Sequence, residues 1–167
     1  MDIFACRAAF AAILISALYS APVAAQVPDA VAAPGLTKIL EVHAEGAQIY
    51  ECKTGADKKL TWQFREPIAA LILDGKTVGR HYTGPTWDLL SDGSAVTAKV
   101  AAKAPGSTAK DIPVLKLEAV SHHGSGQLSN ATVIQRLNTK GGVIEGECPS
   151  AGALIGIPYS SNYVFLK

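Results

Sequence analysis

Two stretches, Leu71-Ile72-Leu73-Asp74-Gly75-Lys76-Thr77-Val78 and Leu89-Leu90-Ser91-Asp92-Gly93-Ser94-Ala95-Val96, decide the fold class. Each sets an Asp-Gly pair between apolar runs, and both residue types tolerate the positive φ of a tight hairpin turn. Outward from these hairpins the apolar residues recur every second position, the period of a half-buried strand. Thr37 to Ala44 places Leu40, Val42 and Ala44 on one face, with Ile39, Glu41 and His43 on the other. Gly46 reads as a turn into Ala47–Lys53, where Tyr50 and Cys52 share a face. The polar turn Thr54-Gly55-Ala56-Asp57 precedes Leu60–Phe64. Beyond the second hairpin, Ser94–Ala101, Val114–Ser121, Ala131–Thr139 and Pro158–Leu166 repeat the pattern, and Lys103–Asp111 reads as a loop.

No segment carries a convincing helical period. The count comes to about nine or ten short strands, and 15 glycines and 9 prolines suit that turn density. The chain is therefore expected to be all-β, a single antiparallel β-sandwich or barrel. Its inward face should include Leu40, Val42, Ile49, Tyr50, Trp62, Phe64, Leu71 and Leu73 from the first half. From the second half it should include Val96, Val100, Leu115, Leu117, Val133, Leu137 and Phe165.

The N-terminus has a different grammar. Arg7 ends a short head, Ala8 to Leu18 is an apolar run, Pro22 breaks it, and Val23-Ala24-Ala25 offers small residues at the −3 and −1 positions. This order is that of a secretory signal peptide, with cleavage expected between Ala25 and Gln26. The run is short of the roughly 20 residues that span a bilayer. The expected layout is a signal peptide at 1–25, an extended arm at 26–36 with Pro28, Pro34 and Gly35, and one β domain at 37–167. The mature chain is expected in the periplasm or outside the cell, with no membrane span.

Charge narrows the function classes. Fifteen Lys and Arg stand against 14 Asp and Glu, a net charge of +1, so no basic surface for nucleic acid is expected. The leader removes Cys6 and leaves Cys52 and Cys148, an even pair that reads as a disulfide in an exported protein. A thiolate pair on a metal and two free thiols remain the alternatives. Neither cysteine sits in a C-x-x-C pair or beside a histidine at ligand spacing.

Several segments carry a resemblance. They are His43-Ala44-Glu45-Gly46-Ala47-Gln48-Ile49-Tyr50-Glu51-Cys52, Val78-Gly79-Arg80-His81-Tyr82-Thr83-Gly84-Pro85-Thr86-Trp87 and Val120-Ser121-His122-His123-Gly124-Ser125-Gly126. Ile134-Gln135-Arg136-Leu137-Asn138-Thr139-Lys140-Gly141-Gly142 and the late Cys148 complete the set. In this order, over about residues 27–167, the chain resembles the exported family known as domain of unknown function 3455, with bacterial and fungal members. The resemblance implies export and one domain, and supplies no catalytic residues. Some fungal members are labelled malate dehydrogenase, but this chain has no G-x-G-x-x-G after a strand and no βαβ pattern. No cofactor is expected.

Two clusters hold the residue types that bind or catalyse. Around the Gly84-Pro85 turn stand His81, Tyr82, Trp87 and Asp88, aromatic rings beside hydrogen-bonding groups that can stack on a sugar or another flat ligand. Ser121-His122-His123-Gly124-Ser125-Gly126 is the second. His122 joined to His81 and Asp88 would make a zinc or copper site if the fold gathered them, although adjacent histidines on a strand point to opposite faces. Ser121 or Ser125 beside a histidine is a formal nucleophile–base pair. No G-x-S-x-G or H-E-x-x-H supports hydrolysis, and no carboxylate pair stands out for glycoside cleavage. Asn130-Ala131-Thr132 matches a glycosylation sequon. The expected function is non-enzymatic binding of a small molecule or glycan, or a structural role. The alternative is a small hydrolase or metal-dependent enzyme using His81 or His122.

Overall fold

A computed structural model describes residues 27–167; the leader and its cleavage site lie outside the described residues. Eight antiparallel strands close into a barrel in which every strand pairs with its neighbours in sequence and β8 returns to β1. They are β1 (Lys38–Thr54), β2 (Leu60–Leu73), β3 (Lys76–Tyr82), β4 (Thr86–Leu89), β5 (Ala95–Ala104), β6 (Val114–His123), β7 (Val133–Gly141) and β8 (Leu154–Leu166). Two short 3-10 helices, Asp29–Val31 and Gln127–Asn130, complete the secondary structure.

The all-β class stands, with eight strands in place of nine or ten. The difference lies in β1 and β2, each read as two shorter pieces. Gly46 does not turn the chain. It sits inside β1 opposite Ala69, where an added Cβ would overlap the Ile68 carbonyl and come within 2.6 Å of the Ala69 Cα. The glycine permits two strands to approach closely rather than reversing one of them. By contrast Asp74 and Gly75 both take positive φ, 49° and 73°, and join Leu73 to Lys76 in a two-residue turn.

Inside the barrel, Leu40, Val42, Leu71, Trp87, Leu117 and Phe165 form part of one buried cluster. Tyr50 and Val96 are buried as expected. Other residues expected inward are not. Ile49 alternates with buried Tyr50 and so turns out, beside a β-bulge at Ile49/Tyr50 that shifts the register on β2. Val133 and Leu137 flank the inward Ile134 and Arg136 and are only half-buried, as is Trp62. Phe64 and Val100 lie near the barrel's open end at 54% and 52% exposure, and Leu73 is exposed where β2 ends. Sequence parity finds a face; it does not find where along the barrel packing stops.

The outer face carries ion pairs and cross-strand charges: Arg80 holds Asp88, and Lys99 lies opposite Glu118. Among the described residues no helix is long and apolar enough to cross a membrane. The arm lies on the outer wall, where the Gln135 side-chain amide donates to the Val31 carbonyl at 2.6 Å and Val31 is fully buried. Cys52 and Cys148 form a disulfide that ties the end of β1 to the loop before β8.

Candidate ligand-binding site

The two ends of the barrel differ. At the end where β1 starts, the 3-10 helix Gln127–Asn130 inserts Leu128 into the core cluster. At the opposite end the interior opens into a cavity of about 350 Å³. An eight-stranded barrel is wide enough either to be filled by its own side chains or to hold one small ligand.

Residues of all eight strands line this cavity. His81 on β3 and Trp87 on β4 stack at 4.4 Å with planes 8° apart, and Tyr163 on β8 meets both rings edge-on at 4.9 and 5.2 Å. Cross-strand pairing fixes this group, because His81 lies opposite Trp87 in the β3–β4 ladder. Gln48 and Tyr50 of β1 add polar groups, and Tyr50 donates its hydroxyl to the Gly142 carbonyl at 2.7 Å. Phe64, Pro67, Pro85, Val100 and Leu115 supply an apolar wall.

His81 Nδ1 lies 2.9 Å from the Thr86 carbonyl. A carbonyl only accepts, so Nδ1 carries the proton and Nε2 is left as an acceptor. Burial pushes the His81 pKa down to about 3; the Thr86 bond opposes this and the positive charge of Arg136 adds to it. The ring is therefore neutral near pH 7. Burial also raises the Tyr159 and Tyr50 hydroxyl pKa values above their ordinary range, while the Arg136 charge works against both rises. Trp87 is 1% exposed, yet its indole N–H has no acceptor among the described residues, and neither has the Gln48 side-chain amide nitrogen. Such orphaned buried donors are uncommon in folded proteins.

Of the residues singled out from sequence, His81 and Trp87 come together here beneath the Gly84-Pro85 turn. Tyr82 and Asp88 alternate with them and face outward. Asp88 accepts from Arg80 at 2.6 and 3.2 Å, and the same guanidinium lies 5.8 Å from the Tyr82 ring. His122 borders the outer surface with Tyr82, Asp88 and Ser121, and its Nε2 donates to the Ala131 carbonyl at 2.7 Å. The structure thus separates His81 from His122. No group of three or more His, Cys, Asp or Glu suited to a metal occurs among the described residues. Ser125 lies in the exposed bend before the second 3-10 helix and does not line the cavity.

Arg136, Tyr163, Tyr50, Gln48 and Phe64 line the cavity without having been singled out. Arg136 left one signal: it shares parity with Ile134 on β7, a charge at an inward position. The chain matches the family described as "Protein of unknown function (DUF3455)" over residues 32–77 and 72–167. It belongs to this family. No curated protein and no solved structure matches it. In this DUF3455 barrel every strand pair is antiparallel. It has no parallel βαβ crossover among the described residues of the kind that seats a nicotinamide.

Proposed function

We propose that this DUF3455 protein is an exported binding protein that holds one small molecule inside its barrel. The cavity carries the reading: it is about 350 Å³, within the range of small-ligand sites, and combines an apolar wall with the polar side chains of Gln48, Tyr50 and Arg136. Its size suits a single ring system rather than an extended glycan. The outer cluster of Tyr82, Asp88 and His122 borders a smaller, more open recess of about 280 Å³ on the barrel wall. Catalysis by His81 has less support. A general base needs a pKa near the working pH, whereas burial holds this one at about 3. No carboxylate lines the cavity.

Export rests on the leader, for which we retain cleavage between Ala25 and Gln26, and is supported by the disulfide. We keep the layout of leader 1–25, arm 26–36 and β domain 37–167. Intact-mass measurement of protein from the medium or periplasm tests this; a chain starting at Met1 would overturn it.

Binding is tested with the neutral dye N-phenyl-1-naphthylamine, whose fluorescence rises in an apolar enclosure. The wild-type protein should enhance it in a saturable way. Val100→Trp adds bulk at an exposed position of the mouth and should abolish the enhancement while leaving the far-UV circular dichroism unchanged. Equal binding by wild type and variant would remove the cavity as the site.

A further inference from the structure

Arg136 is the feature of the cavity that a purely apolar ligand leaves unexplained. It stands on β7 opposite Leu115 and Tyr163, both of which line the same space. Its Nε and Nη2 donate to the Pro113 carbonyl at 3.1 and 2.9 Å, which fixes the plane of the guanidinium and leaves Nη1 uncommitted. None of the ion pairs among the described residues includes it. Arg65, the other cation lining the cavity, pairs with Glu51 and Glu66. The lining therefore carries an anchored arginine with no counter-charge.

We propose that the cavity selects a compact apolar monoanion, an aromatic or similarly flat carboxylate, with its oxyanion on Arg136. The ring system lies against Pro85, Val100 and Leu115. A guanidinium already oriented by a backbone carbonyl loses little freedom when a carboxylate docks, and its planar donors match that geometry. This inference rests on the cavity being the binding site, and it adds the charge of the occupant.

The test compares 2-naphthoate with its neutral isostere 2-naphthamide by isothermal titration calorimetry. Wild type should bind the acid about ten-fold or more tightly than the amide, the scale of one charge-assisted contact. Arg136→Gln should bring the two affinities within about two-fold of each other, while Arg136→Lys should retain part of the preference. Arg65→Gln should retain all of it, because that side chain is already paired. A variant damaged only in folding would lose both compounds together, which circular dichroism detects, and would not lose the preference alone. Equal affinities in wild type would overturn the charged subsite and leave the cavity reading standing. Failure of both naphthalenes while the neutral dye still binds would also overturn it. Failure of the dye as well would remove the cavity reading itself.

Discussion

At the end of the barrel where β1 begins, polar groups answer one another. Asp92 accepts from the Ser94 amide and hydroxyl and from the Gln127 amide, and the Ser94 hydroxyl in turn accepts from the Leu128 amide. The Ser94 hydroxyl, then Gln127, hold the Asp92 carboxyl below the usual carboxylate range. Gln127 reaches across to the Ile39 carbonyl, and Leu128 fills the space beneath. At the opposite end, Phe64 and Val100 stand half in solvent, the Trp87 N–H has no acceptor among the described residues, and Arg136 is held by a backbone carbonyl with no counter-charge. One set of strands therefore carries both a finished core and an unfinished one. Leaving a buried donor unpaired costs stability, so the open end is where a ligand has most to add.

The largest expected effect tests what holds the open end together. The Cys52–Cys148 bridge closes a sequence separation of 96 residues, and Cys52 is buried where β1 leaves the barrel. Replacing both cysteines by serine should lower unfolding stability by about 4 kcal/mol, the scale for a loop of that length, read from urea denaturation. The closed end contains no cross-link and should keep its slow amide exchange at Leu128, while exchange at Trp62 and Cys148, whose amides bond across this junction, should accelerate. A loss under about 1 kcal/mol would show that packing alone closes both ends.

A truncation pair then measures the contrast itself. Leu128→Ala removes a fully buried side chain from the plug and should cost about 3 kcal/mol. Phe64→Ala removes a larger side chain that is 54% exposed, and should cost under about 1 kcal/mol. Equal losses would mean that the open end is packed as tightly as the closed one.

Local signals that concern neighbouring residues were legible in the sequence. Asp74-Gly75 makes the hairpin it advertises, and the alternation of Leu40, Val42 and Ala44 marks the inner wall of β1. Signals that depend on distant partners were not. Gly46 looks like a turn because nothing nearby reveals that Ile68 and Ala69 press against its backbone. Asp92-Gly93 looks like a second tight hairpin. It is a longer connection whose aspartate organises the plug from residues more than thirty positions away. His81, Tyr82, Trp87 and Asp88 were visible as a group, but β3 and β4 send two inward and two outward. Arg136 belongs with the inward pair only because β7 closes the barrel beside β8.

The smallest effect concerns the boundary between the two ends, where His81 lies against Trp87. Its pKa in the folded protein is about 3, depressed mainly by burial, against an ordinary 6.5 in the unfolded chain. Between these values the unfolded chain binds a proton that the folded protein refuses. Stability is then fully present above about pH 6.5 and falls on acidification, by about 1.4 kcal/mol at pH 5.5 and a similar amount per unit below it. His81→Phe keeps a ring on Trp87 and removes the titration, so subtracting its stability profile from that of wild type cancels the carboxylates common to both. The lost Thr86 hydrogen bond shifts the variant by a constant and leaves the slope unaffected. Wild type should lose stability relative to the variant as pH falls from about 7.5 to about 5. Parallel profiles would mean that water from the cavity reaches the imidazole and lets it protonate in place. The floor of the open end would then be wet, and a ligand entering it would have to displace that water rather than complete a dry core.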